Sequence, residues 1–147
     1  MMYELDPKIE KTSIHVGYVT RDKVGGQAVR FDCRLVKDNR YFWALIIPEL
    51  EGIEEIHDLS AEAFDAASKL TRHFSDAIKT ATSCEKINSA AIGNVVKMLH
   101  IHVVARNAGD EAWPHPVWGR GEAKPMSKTI ENWRLAVIRD AIKSFSV

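Results

Sequence analysis

The chain has 147 residues, with Lys plus Arg and Asp plus Glu at 20 each, so it has no net field to hold a polyanion, which argues against a nucleic-acid partner. Its length is that of one domain able to bury well over half of its unfolded surface. The longest apolar runs, such as Phe42-Trp43-Ala44-Leu45-Ile46-Ile47, fall far short of the roughly 20 residues that cross a bilayer, which argues against a membrane span.

The N-terminal residues lack the basic flank, apolar stretch and small-residue cleavage site of a secretory signal, so a cytoplasmic soluble protein is expected. Residues 13–19 are rich in β-branched side chains, and Asp22-Lys23-Val24-Gly25-Gly26 reads as a turn, predicting a leading hairpin. From Val29 to Val36 the pattern alternates. Val29, Phe31, Cys33 and Leu35 fall on one face and Arg30, Asp32 and Arg34 on the other, as in a half-buried strand. Asp38-Asn39-Arg40 then turns the chain. Tyr41 to Ile47 is apolar on both faces and stops at Pro48, which predicts a central strand.

Ser60 is a candidate N-cap for a helix whose apolar positions Ala63, Phe64, Ala67, Leu70, Phe74, Ala77 and Ile78 recur at three- and four-residue spacing to about Thr80. Two strands follow, around 85–91 and 98–105, with a tight turn at Ile92-Gly93-Asn94. Gly and Pro cluster between 109 and 125. Ser127 then caps a final helix, about 127–145, with Ile130, Leu135, Ile138, Ile142 and Phe145 among its apolar positions. This order is not a regular βαβ alternation. It predicts a single α+β domain over residues 1–147, with a mostly antiparallel sheet, one long helix between strands and a C-terminal helix; the core spans 29–119.

Cys33 and Cys84 have neither zinc-knuckle nor redox-pair spacing and read as ordinary thiols. The chemistry concentrates instead in Met98-Leu99-His100-Ile101-His102-Val103-Val104. On a strand, side chains at i and i+2 share a face, so His100 and His102 stand together while Leu99, Ile101 and Val103 face the core. Two imidazoles so placed suit proton or phosphoryl chemistry near neutral pH. A His-x-His zinc pair is the competing reading. It needs a further ligand, for which Asp110, Glu111 and His115 are the nearby candidates without ligand-like spacing; no bound metal and no cofactor are expected.

The same segment resembles the signature of the histidine-triad superfamily, histidine-apolar-histidine-apolar-histidine-apolar-apolar, with Met98 in the first histidine's place. Asp38, Trp43-Ala44-Leu45-Ile46-Ile47-Pro48, the helix and Asn88 match the family's order and spacing. Arg106 and Asp110-Glu111-Ala112-Trp113-Pro114-His115-Pro116-Val117-Trp118-Gly119 look like a bacterial branch of it, and the resemblance covers about residues 30–119. It implies a nucleotide-binding α+β fold, commonly a homodimer. Its members hydrolyse or transfer nucleoside monophosphate groups; the alternative for this chain is a nucleotide-binding module with little or no turnover.

The resemblance also implies roles for single residues. His100 would attack the α-phosphorus, His102 would hydrogen-bond the phosphate oxygens, Asp38 would accept the ribose hydroxyls, Asn88 would lie beside the α-phosphate, and Asn94 matches an amide-bearing position ahead of the histidines. Met98 keeps a backbone carbonyl for the nucleophile's tautomer but has no proton to give. Val95 stands where many members have a serine, and Glu49 where basic residues are frequent. Trp113 and Trp118 read as packing or subunit-contact residues rather than site residues.

Overall fold

The computed structural model describes residues 2–21 and 28–146; the turn expected at 22–26 lies outside them. Strands β1 (Ser13–Arg21), β2 (Val29–Val36), β3 (Trp43–Pro48), β4 (Lys86–Ala91) and β5 (Ile101–Arg106) form one sheet in the order β1-β2-β3-β5-β4. Every neighbouring pair is antiparallel. With helices α1 (Pro7–Thr12), α2 (Ala61–Thr82) and α3 (Lys128–Ser144) this is the mixed α+β architecture expected, with the apolar run at 43–48 as the middle strand.

Both long helices begin where a serine takes up an orphan backbone donor. Ser60 Oγ accepts from the Ala63 N–H at 3.1 Å, and Ser127 Oγ from the Ile130 N–H at 3.2 Å. The stripe Ala63, Ala66, Ala67, Leu70, Phe74 and Ile78 of α2 is buried. It packs with α3 over the sheet face made by Phe31, Cys33, Leu35, Ala44, Ile46, Ile101 and Val103. Burying each large side chain of that layer is worth about 1.5–3 kcal/mol.

The opposite face is not the solvated face that the alternation in β2 predicts. Asp32 and Arg34 are 2% and 6% exposed. Their charges stay there because they are paired: Arg34 donates to Asp32 at 3.0 Å and to Ser13 Oγ at 2.7 Å, while His15 Nδ1 lies 2.6 Å from Asp32. α1 closes part of this face by burying Ile9 against Leu45, Ile47 and Val96. Sequence periodicity misses this helix because six residues contain a single buried position. Its entry is marked by local chemistry: Asp6 accepts from the Lys8 N–H at 2.8 Å and Pro7 sits in the first turn.

Two expectations around the histidines are corrected. β5 begins at Ile101 rather than Met98, because the Leu99 N–H is drawn to the Ile53 carbonyl at 3.0 Å instead of to a strand neighbour. The link from β4 is also longer than a tight turn, covering residues 92–100. Gly93 serves it by close approach and not by an unusual φ: a Cβ there would lie 2.7 Å from the Val96 carbonyl oxygen.

Candidate active site

The register of the central strands sets His102 opposite Leu45 of β3 and Ala90 of β4, on the face away from α2 and α3. Leu99, Ile101 and Val103 join the core on the helical side, as the alternation predicts. His100 and His102 are 7% and 5% exposed, with ring centroids 4.7 Å apart.

Each ring's tautomer follows from its partners. His100 Nδ1 lies 2.7 Å from the Met98 carbonyl oxygen. A carbonyl only accepts, so Nδ1 carries the proton, and in the neutral ring Nε2 keeps its lone pair. His102 has the reverse arrangement. Its Nδ1 is 3.0 Å from Trp43 Nε1 and 3.4 Å from Trp118 Nε1; an indole N–H only donates, so Nδ1 accepts and Nε2 bears the proton. That Nε2–H faces the Ile92 carbonyl at 3.4 Å. Burial, with His100 beside it, pushes the His102 pKa down to about 4, so the ring is neutral at pH 7. The pair therefore presents one lone pair and one N–H donor side by side.

A groove of about 360 Å³ opens over both rings, walled by Asp38, Arg40, Trp43, Trp118 and Arg120, a size within the ordinary range of small-molecule sites. A second pocket of about 380 Å³ lies on the other side of His100, lined by Glu54, Glu55, Asn94, Lys97 and Met98. His100 thus stands between the two hollows.

Met98 fills the place before His100 as part of the packing under α1, together with Leu5, Ile9, Leu45 and Val96. Its sulfur accepts from the Asp6 N–H at 3.3 Å.

The structure brings four of the five expected site residues to these hollows. His100, His102 and Asp38 line the groove, and Asn94 lines the pocket. Asn88 lines neither. Its Oδ1 accepts from Arg106 at 2.8 Å, in a network where the same guanidinium grips Asp110 at 2.8 Å and the His115 carbonyl at 2.8 Å. Arg106 is 1% exposed and needs all of these acceptors.

Asp38 is also less free than a ribose acceptor would be. Its carboxylate takes the Arg40 side chain at 2.9 Å and the backbone N–H groups of Arg40 and Lys124 at 3.1 and 3.3 Å. Burial alone would raise its pKa, but these donors outweigh it and hold the carboxyl below the usual range. Of the residues weighed as zinc ligands, Asp110 is paired with Arg106 and Glu111 with Arg40. Among the described residues no three His, Cys, Asp or Glu side chains gather as a metal would require.

Trp118 packs against the Tyr41, Val104, Ala112 and Val117 cluster, as expected of a packing residue, and its indole also faces His102 and lines the groove. Trp43, Arg40 and Arg134 were also missed as site residues. For the tryptophans a signal exists in principle, since a buried indole N–H needs an acceptor. Nothing in the spacing of Trp43 and Trp118 says that the acceptor is the same imidazole. Arg134, on α3, donates to the carbonyls of Asp38 and Tyr41 at 2.8 Å each and of Asn39 at 3.0 Å, so the C-terminal helix holds the turn that carries Asp38 and Arg40.

Among the described residues no helix is long and apolar enough to cross a membrane. The family pattern of the HIT domain matches residues 33–109. No curated protein matches the chain, whereas solved structures match it over nearly its whole length. A histidine triad (HIT) protein from Sinorhizobium meliloti is 33% identical, with coverage of 95% of this chain and 96% of that one and a TM-score of 0.82. A histidine triad protein from Bradyrhizobium japonicum is 30% identical over 97% and 99%, with a TM-score of 0.84. One from Marinobacter aquaeolei is 26% identical over 99% and 100%, with a TM-score of 0.86. The paired imidazoles at the start of β5, the antiparallel sheet that positions them and these likenesses together make the chain a member of the histidine triad (HIT) family.

Proposed function

We propose that the chain binds a nucleotide and acts at its α-phosphate as a hydrolase or nucleotidyl transferase, through a covalent nucleotidyl group on His100. The observation that carries this reading is the 2.7 Å contact between His100 Nδ1 and the Met98 carbonyl. It leaves Nε2 unprotonated at the junction of the two hollows, which is what a nitrogen nucleophile needs. His102, a neutral ring with its proton on Nε2, supplies a donor for the phosphate oxygens. Asn94, which lines the second pocket together with His100, supplies a further polar group on that side. The ribose side falls to Asp38 and the Arg40 guanidinium that it anchors, and Asn88 acts at a remove, through Arg106.

A binding module with little or no turnover is the second reading. Met98 favours it, since a thioether, here half-buried under α1, has no proton to donate. In either case the protein acts as a cytoplasmic homodimer without a resident metal or cofactor.

The deciding experiment is hydrolysis of an adenosine phosphoramidate and several dinucleoside polyphosphates by the metal-stripped protein and by His100→Ala. Turnover that vanishes in the variant supports the histidine nucleophile. Nucleotide binding by both proteins, with no turnover of these compounds or of a nitrophenyl ester of adenosine 5′-monophosphate, supports the module instead.

A further inference from the structure

The side chains around His100 offer few protons for a leaving group. His102 is the nearest ring. Its Nδ1 is taken up by the Trp43 and Trp118 indoles, at 3.0 and 3.4 Å, so it cannot gain a second proton without losing both of those bonds. The proton it does carry, on Nε2, belongs to a neutral imidazole, a very weak acid. The environment also opposes the cation, since burial and the adjacent His100 lower its pKa.

Met98, two residues before the nucleophile, is half-buried against Ile9, Leu45 and Val96, has the Asp6 N–H on its sulfur, and as a thioether carries no proton to give. In the groove, Asp38 is held as an anion by Arg40. The remaining charged walls are Lys8, Arg40 and Arg120 on one side and Glu54, Glu55 and Lys97 on the other. Ammonium and guanidinium groups release a proton reluctantly, and ionised carboxylates have none to give. Among the described residues, no side chain at the junction is both protonated and acidic enough to serve as a general acid at neutral pH.

We propose that displacement at His100 proceeds without protonation of the leaving group, so that the site selects nucleoside 5′-phosphoryl compounds whose leaving oxygen departs as a weakly basic anion. This rests on the nucleophilic reading above and adds the substrate class. In the first step the Nε2 lone pair forms the N–P bond while the bond from phosphorus to the leaving oxygen breaks, its electron pair departing on that oxygen. The proton stays on Nδ1, donated to the Met98 carbonyl oxygen, and the nucleotidylated ring is a cation. In the second step a water oxygen attacks phosphorus, the N–P electron pair returns to Nε2, and the water's proton passes to solvent. Neither step asks the protein for an acid. In the second pocket Glu54 and Glu55 outnumber Lys97, which disfavours a leaving group that carries several negative charges.

The test is a series of aryl esters of adenosine 5′-monophosphate, from strongly electron-withdrawing nitrophenols to unsubstituted phenol, with the simple methyl ester at the end. All are assayed with the full-length protein and with His100→Ala. Expected is a fall in kcat/KM of about tenfold for each unit of leaving-group pKa, with no measurable turnover of the methyl ester. Loss of nitrophenyl ester turnover in His100→Ala is expected alongside it. A flat dependence, with phenyl and methyl esters cleaved nearly as fast as nitrophenyl, overturns the proposal and leaves the histidine nucleophile standing. Turnover that survives in His100→Ala, or no turnover of any ester, removes the nucleophilic reading and the proposal with it.

Discussion

The indole nitrogen of Trp43 lies 3.0 Å from Nδ1 of His102, a bond that crosses from β3 to the neighbouring strand β5 and sets which nitrogen of the ring is protonated. A structural role for this bond and a tautomeric one make different predictions. Trp43→Phe keeps an aromatic ring in the wall and removes the donor, leaving Trp118 at 3.4 Å to hold the ring. Nitrogen chemical shifts of His102 are expected to move from a clean Nε2–H pattern toward a mixture of tautomers, with the fold unchanged. An unaltered pattern would show that the Ile92 carbonyl and Trp118 suffice.

The depressed pKa of His102 links stability to pH. The unfolded ring titrates near its ordinary value, about 6.5, and the folded one at about 4. Between those values the unfolded state binds more protons, so the contribution is whole above about pH 6.5 and is lost as pH falls toward 4. The integral is roughly 3 kcal/mol. Urea unfolding of the protein and of His102→Gln, at pH 7 and pH 4, is expected to show the parent losing that much more than the variant. Equal losses would mean that the ring titrates normally.

Arg134 ties α3 to the turn before β3. It is 8% exposed, and its guanidinium supplies the carbonyls of Asp38, Asn39 and Tyr41 with their donor. Arg134→Met keeps most of the stem's packing but leaves those oxygens to find other donors. A stability loss of about 2–3 kcal/mol is expected in urea. Nucleotide affinity should fall as well, because Asp38 and Arg40 sit on the released turn. A stability loss with unchanged affinity would confine Arg134 to the fold.

These residues mark where the sequence is legible and where it stops being so. Ser60 and Ser127 announce their helices because capping is a local exchange between a side chain and a backbone N–H two or three residues on. The apolar face of β5 is legible for a similar reason, period two being built into the strand. Asp32 and Arg34 mislead because charged residues on alternate positions look the same whether the face is solvated or internally paired, and the pairing here involves Ser13 and His15 from a different strand. Asp38 and Asn88 are singled out by the sequence resemblance, yet each is engaged by an arginine, Arg40 and Arg106, whose direction no linear spacing specifies. The indole pair on His102 is likewise a product of tertiary packing. Trp43 and Trp118 reach one nitrogen from different segments.

Gly93 offers a test of the 92–100 link that depends on backbone contact alone. Its φ is not among the positive values found at Gly52, Gly109, Gly119 and Gly121, so alanine meets no intrinsic conformational penalty there. The obstacle is space. A Cβ would lie 2.7 Å from the Val96 carbonyl oxygen and 3.4 Å from that of Lys97, and both are backbone atoms that move only if the link moves. Val96 is anchored beside Ile9, Leu45 and Ile47, so the displacement should fall on residues 92–94. Gly93→Ala is expected to cost about 1–3 kcal/mol in urea unfolding. It should also weaken nucleotide binding by more than Val95→Ala, a change at an exposed neighbour in the same link. A variant as stable as the parent, with parental affinity, would mean that the link adjusts freely and that its amides are not held in place for a phosphate.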